Sequence, residues 1–120
     1  MKKIIIGLAL TATLSGCATT SSKRDFGTYP NNYESVVKDY YHATLRDPDS
    51  AKWVSIRLIG RRSIPQLFKP TVHGFLVCAT LNGKNAYGAY TGYITDGLII
   101  NNGVVVRHLP NGMHYDKSVC

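Results

Sequence analysis

Acidic residues are scarce in this chain. Seven Asp and Glu stand against fourteen Lys and Arg in 120 residues, for a formal net charge of +7. So few carboxylates leave little choice of pairs for general acid–base catalysis. Cysteine is scarce too. There are three, with no Cys-x-x-Cys, which excludes a thioredoxin-type redox motif. No apolar run reaches the roughly 20 residues that a membrane-spanning helix needs. The four histidines, His42, His73, His108 and His114, have neither His-x-x-x-His nor His-Glu-x-x-His spacing, so no metal site is expected. A Gly-x-Ser-x-Gly elbow and a Gly-rich phosphate loop are also missing. The expectation is a protein that is not an enzyme and holds no cofactor. A content of 44% apolar and 10% aromatic residues suits one small globular domain.

The start of the chain is the most informative segment. Met1-Lys2-Lys3 is cationic, and residues 4–14 form an apolar run interrupted by little more than Gly and Thr. That run is too short to span a bilayer and fits the apolar core of a secretory signal. It ends in Leu14-Ser15-Gly16-Cys17, which resembles the bacterial lipobox. The resemblance implies cleavage before Cys17, diacylation of its sulfur and acylation, such as palmitoylation, of the new N-terminus. An ordinary secretory signal with a chance Cys is the alternative. By the same resemblance Ala18, standing where Asp tends to mean inner-membrane retention, points to the outer membrane, with the domain periplasmic or surface-exposed. Residues 1–16 are then a signal peptide, and residues 17–32 a lipidated N-terminus and polar tether. Residues 33–120 form the domain. Lys2 and Lys3 leave with the signal, so the mature chain carries +5.

Residues 33–46 have helical periodicity. Tyr33, Val36, Val37, Tyr40, Tyr41 and Leu45 line one face, and Asn31 with Glu34 suggests a capping box. Asp47-Pro48 stops the helix. Beyond Ser50 the period becomes two. Strands are expected over residues 51–59, 72–81, 84–95 and 104–109, with Leu98-Ile99-Ile100 a further candidate. Asn82-Gly83, Asp96-Gly97 and Asn102-Gly103 read as turns. The expected fold is α+β: one N-terminal amphipathic helix packed on a four- to five-stranded antiparallel sheet.

With Cys17 taken by lipid, Cys78 and Cys120 are left to pair in an oxidising compartment, or to remain a buried thiol and a free one. Two segments together resemble a group of small proteobacterial and phage-associated exported proteins. One is Asp47-Pro48-Asp49-Ser50-Ala51. The other is the Asn-x-Lys-Asn-x-Tyr-Gly-x-Tyr-Thr-Gly run of residues 82–92. No catalytic residue carries over from that resemblance. Lys84, Asn85, Tyr87, Tyr90 and Tyr93 are candidates for a binding surface, since Tyr supplies contact area at low entropy cost. The bland alternative has the helix packing closely over Gly88 and Gly92 beside Tyr90. Arg57, Arg61, Arg62 and Lys69 flank an expected loop over residues 60–70. They form either a solvated turn or a contact for anionic envelope components. Export argues against a nucleic-acid partner.

The expected role is a non-enzymatic outer-membrane lipoprotein that meets an envelope protein or glycan. An exclusion or inhibitor lipoprotein of prophage type is a second reading. An envelope hydrolase is a third, and it needs a His–carboxylate pair in a cleft.

Overall fold

The computed structural model describes residues 24–84 and 88–120. The signal, the lipobox with Cys17, and the candidates Asn85 and Tyr87 lie outside the described residues. The elements run α1 (Tyr33–Thr44), β1 (Lys52–Gln66), β2 (Lys69–Asn82), β3 (Ile94–Asn101), β4 (Val104–Leu109), then a small pair, β5 (Met113–His114) and β6 (Lys117–Ser118). The first four strands form one antiparallel sheet in sequence order. The helix lies well inside the chain rather than at its N-terminus.

Side chains alternate across the pleat, so the sheet has two apolar faces. Val77, Ala79, Leu81, Leu98 and Ile100 pack under Val37 and Tyr41 of α1. On the other face Ile64, Leu76, Cys78, Ile99 and Leu109 pack with Val119. This double burial explains why β2 and β3 read as nearly continuous apolar runs. The helix begins at an Asn32 cap that makes no side-chain bond, so the expected Asn31–Glu34 capping box does not form. It ends at Leu45, whose extended backbone turns the chain into a single 3₁₀ turn over Pro48–Ser50. There Ser50 Oγ donates to the Asp47 carbonyl at 2.6 Å.

Several turn signals prove to be strand residues. Gly60 is not a loop residue but part of a β-bulge, with φ +143° and a register shift beside it. Strand β1 therefore runs on to Gln66. Arg57 lies in this strand as expected, Arg61 and Arg62 lie in it too rather than in a loop, and the turn narrows to Leu67-Phe68. The bulge also splits the cations. Arg57 and Arg62 pair with Cys78 and Gly74 on one face, whereas Arg61 pairs with Phe75 on the other. Arg61 lies over the Phe26 and Phe75 rings at 5.6 and 5.9 Å. Lys69 alone of the four sits at the turn.

Asp96-Gly97 is likewise inside β3. Gly97 lies opposite Cys78, and a Cβ there would meet Leu76 Cδ1 at 3.3 Å and Cys120 Sγ at 3.4 Å. The glycine makes room for sulfur rather than for a turn. Asn102-Gly103 does turn, with φ of +49° and +76°. Asn82-Gly83 does not close a two-residue hairpin. Strand β2 ends at Asn82, and among the described residues the expected strand over residues 84–95 is represented before Ile94 by an isolated Lys84–Tyr90 bridge.

Cys78 and Cys120 form a disulfide with Cα atoms 5.9 Å apart. It folds the segment after β4 back over the sheet. Nearer the start, residues 25–30 rest on the sheet: Asn101 Nδ2 donates to the Asp25 carbonyl at 2.8 Å, and the Thr28 N–H donates to Asn102 Oδ1 at 3.0 Å. Phe26 and Tyr29 meet His73 and Phe75 edge to face.

Candidate functional site

The two motif segments meet at one end of the β1–β2 hairpin. Tyr90 Oη donates to the Ser50 carbonyl at 2.9 Å, which joins the second segment to the Asp-Pro-Asp-Ser corner. Two ammonium groups approach the Tyr90 ring, Lys52 Nζ at 4.2 Å and Lys84 Nζ at 5.4 Å from its centroid. Cation–π attraction of this kind contributes about 0.5–1 kcal/mol at an exposed site. Tyr93, 61% exposed, stands nearby in sequence just before β3. Of the five candidates for a binding surface, the structure thus joins Lys84 and Tyr90, leaves Tyr93 open to solvent and adds Lys52. Lys52 was missed because a single Lys at a strand start carries no pattern.

The close-packing alternative for Gly88 and Gly92 does not hold. A Cβ at either would meet nothing within 4 Å, and both have positive φ, +77° and +103°. These glycines serve backbone conformation. They let the chain on either side of Tyr90 turn, with its hydroxyl on the Ser50 carbonyl.

A second cluster lies under the helix. Asp96, 2% exposed, faces α1 from the third position of β3. Its Oδ2 accepts from Tyr41 Oη at 2.5 Å and lies 2.9 Å from His108 Nε2. Its Oδ1 accepts the Asn111 N–H at 2.9 Å. Burial by itself would raise the Asp96 pKa. The bonds from His108, Tyr41 and Asn111 outweigh it and hold the carboxyl below its ordinary value. Tyr41 is pushed far up, first by burial and then by its bond to the Asp96 carboxylate. An ionised Asp96 can only accept, so Nε2 of His108 carries the proton. In the neutral ring Nδ1 then accepts from Tyr40 Oη, 3.2 Å away. Helix, β3 and β4 are bolted together by this network.

The structure therefore contains a His–carboxylate pair, which the turn reading of Asp96 had hidden. Its chemistry is limited. Both oxygens of Asp96 and both nitrogens of His108 are engaged within the fold. One other imidazole has a hydroxyl partner: Ser63 Oγ lies 2.7 Å from His73 Nδ1 across the β1–β2 ladder. Among the described residues no carboxylate is hydrogen-bonded to that ring. No group of three metal-ligating side chains converges among the described residues. No described helix is long and apolar enough to cross a membrane.

Residues 1–18 match the family described as "Prokaryotic membrane lipoprotein lipid attachment site". That match contains the Leu14-Ser15-Gly16-Cys17 segment, marks a lipid attachment site and supports a membrane-anchored bacterial lipoprotein. Comparison with curated proteins and with solved structures finds no match.

Proposed function

We propose that this lipoprotein works by contact rather than by catalysis. In this reading it is an outer-membrane accessory module, acylated on Cys17 and sorted there by Ala18, that meets an envelope protein or glycan. The observation that carries the reading is the Tyr90 corner with its two lysines, followed three residues on by the exposed Tyr93. Tyr90 is bonded to Ser50 in this corner, which combines aromatic area with two cations. Such a surface suits an anionic or sugar-bearing partner. The imidazole–carboxylate network, by contrast, is consumed in holding the helix to the sheet.

The test is photo-crosslinking in cells from position 93 of the full-length, acylated protein. A discrete adduct is expected. Paired Lys52→Glu and Lys84→Glu changes are expected to lower its yield about tenfold, the equivalent of about 1.4 kcal/mol. An adduct of unchanged yield, or none in the parent, contradicts the proposal. Metabolic palmitate labelling checks the anchor separately, because Cys17→Ser is expected to abolish it.

A further inference from the structure

The β1–β2 hairpin ends in an apex that is costly for a protein to display. Leu67 is 68% exposed and Phe68 97% exposed. Phe68 also adopts φ +59°, a left-handed conformation that Gly or Asn occupies readily and a bulky aromatic rarely does. Two unfavourable features at one residue, exposure and backbone conformation, call for a compensating role. The apex is also braced: the Leu67 N–H donates to Tyr115 Oη at 3.1 Å, and Tyr115 packs against His114. Tyr115 is itself exposed. Lys69 flanks the turn directly.

The route of the chain gives this apex a direction. Arg24 shares a cleft with Ser63, Pro70, Thr71 and His73, so the chain enters the fold beside the apex. Only seven residue steps separate Arg24 from Cys17. Even fully extended they reach at most about 25 Å. The opposite end of the hairpin, with Lys52 and Asn82, is roughly 40 Å away along β2. An acylated Cys17 is therefore tethered nearer to the apex end than to the Tyr90 corner.

We infer that Leu67 and Phe68 insert into the lipid surface that carries the Cys17 acyl chains, with Tyr115 at headgroup level and Lys69 and Arg24 against lipid phosphates. This rests on the lipoprotein reading and deepens it. The order of groups is the one an interfacial element shows: apolar residues innermost, aromatic hydroxyl and cations at the boundary. The apex would then be a second, protein-borne contact that fixes how the domain stands on its membrane. Asp116 shares a cleft with Pro65 and Tyr115, and Asp25 follows Arg24, and neither carboxylate belongs to the turn itself.

The experiment uses the acylated full-length mature protein in vesicles of phosphatidylethanolamine and phosphatidylglycerol with brominated acyl chains. Trp53, the native tryptophan, lies at the far end of the hairpin opposite Leu81 and serves as an internal reference. Phe68→Trp adds a second emitter at the apex, and Tyr93→Trp adds one at the outer corner. The added emission at position 68 is expected to be blue-shifted and quenched about twofold or more, as for an indole about 5–10 Å into the interface. The emission at position 93, like that of Trp53, is expected to be unquenched. Flotation with the vesicles reports the anchor independently. A protein that fails to float overturns the lipoprotein premise. A protein that floats with position 68 unquenched and solvent-like overturns the insertion. Blue-shifted but unquenched emission at position 68 also overturns it, and points to a protein partner or second copy covering the apex. If Phe68→Trp is unstable, a nitroxide-labelled lipid that broadens the ring resonances of fluorophenylalanine-labelled Phe68 gives the same decision.

Discussion

Asp96 shows how much a single residue can decide. It joins three elements through Tyr41, His108 and the Asn111 N–H. Asp96→Asn is expected to cost about 3 kcal/mol at neutral pH, since it breaks a buried charged network and leaves donors facing donors. Urea unfolding of both proteins measures this. The pH dependence has a definite sign. The folded carboxyl titrates below its unfolded value, so its contribution is complete above about pH 4 and is lost as pH falls through the folded pKa. The gap between wild type and Asp96→Asn is expected to narrow in acid. Tyr41 acts at the other extreme. The unfolded phenol ionises above about pH 10 while the buried one stays neutral, so stability is expected to fall there. None of this was legible in the sequence. Asp-Gly is a strong turn signal, and Gly97 carries it for an unrelated reason, the space taken by Cys120 Sγ.

At the scale of elements, periodicity was the dependable guide. The helix at Tyr33–Thr44 and the last long strand at Val104–Leu109 follow from it directly. Glycine punctuation was less dependable, because Gly60 and Gly97 lie within strands and Gly88 and Gly92 within a loop. Strand length cannot be read through a bulge, and so Arg61 and Arg62 looked like loop residues. Cysteine pairing was open in the sequence, and the Cys78–Cys120 bridge decides it. The bridge spans 42 residues, so on the chain-entropy account it contributes about 4 kcal/mol. Chemical denaturation with and without reductant is expected to show a loss of that order, as is Cys120→Ser. The Tyr90 corner depends on one bond of the neutral kind. Tyr90→Phe is expected to cost about 1 kcal/mol. Faster amide exchange confined to the segment joining β2 to β3 would report it, with the rest of the sheet unchanged.

For the whole molecule, the account is one of orientation. The match over residues 1–18 fixes a lipid anchor, and Arg24 brings the chain into the fold beside Leu67-Phe68. The long β1–β2 hairpin then separates two unlike ends, an apolar apex and a lysine-flanked aromatic corner. The anchor was fully legible in the sequence, because acylation signals are linear. The apex was not, since an extended strand through Gly60 was needed to place Leu67-Phe68 at the tip. The measurement that tests the account most directly is paired photo-crosslinking in living cells, from positions 68 and 93 of the same acylated protein. The account predicts phospholipid adducts from position 68 and protein or glycan adducts from position 93. Lipid adducts from position 93, or none from position 68, would contradict it.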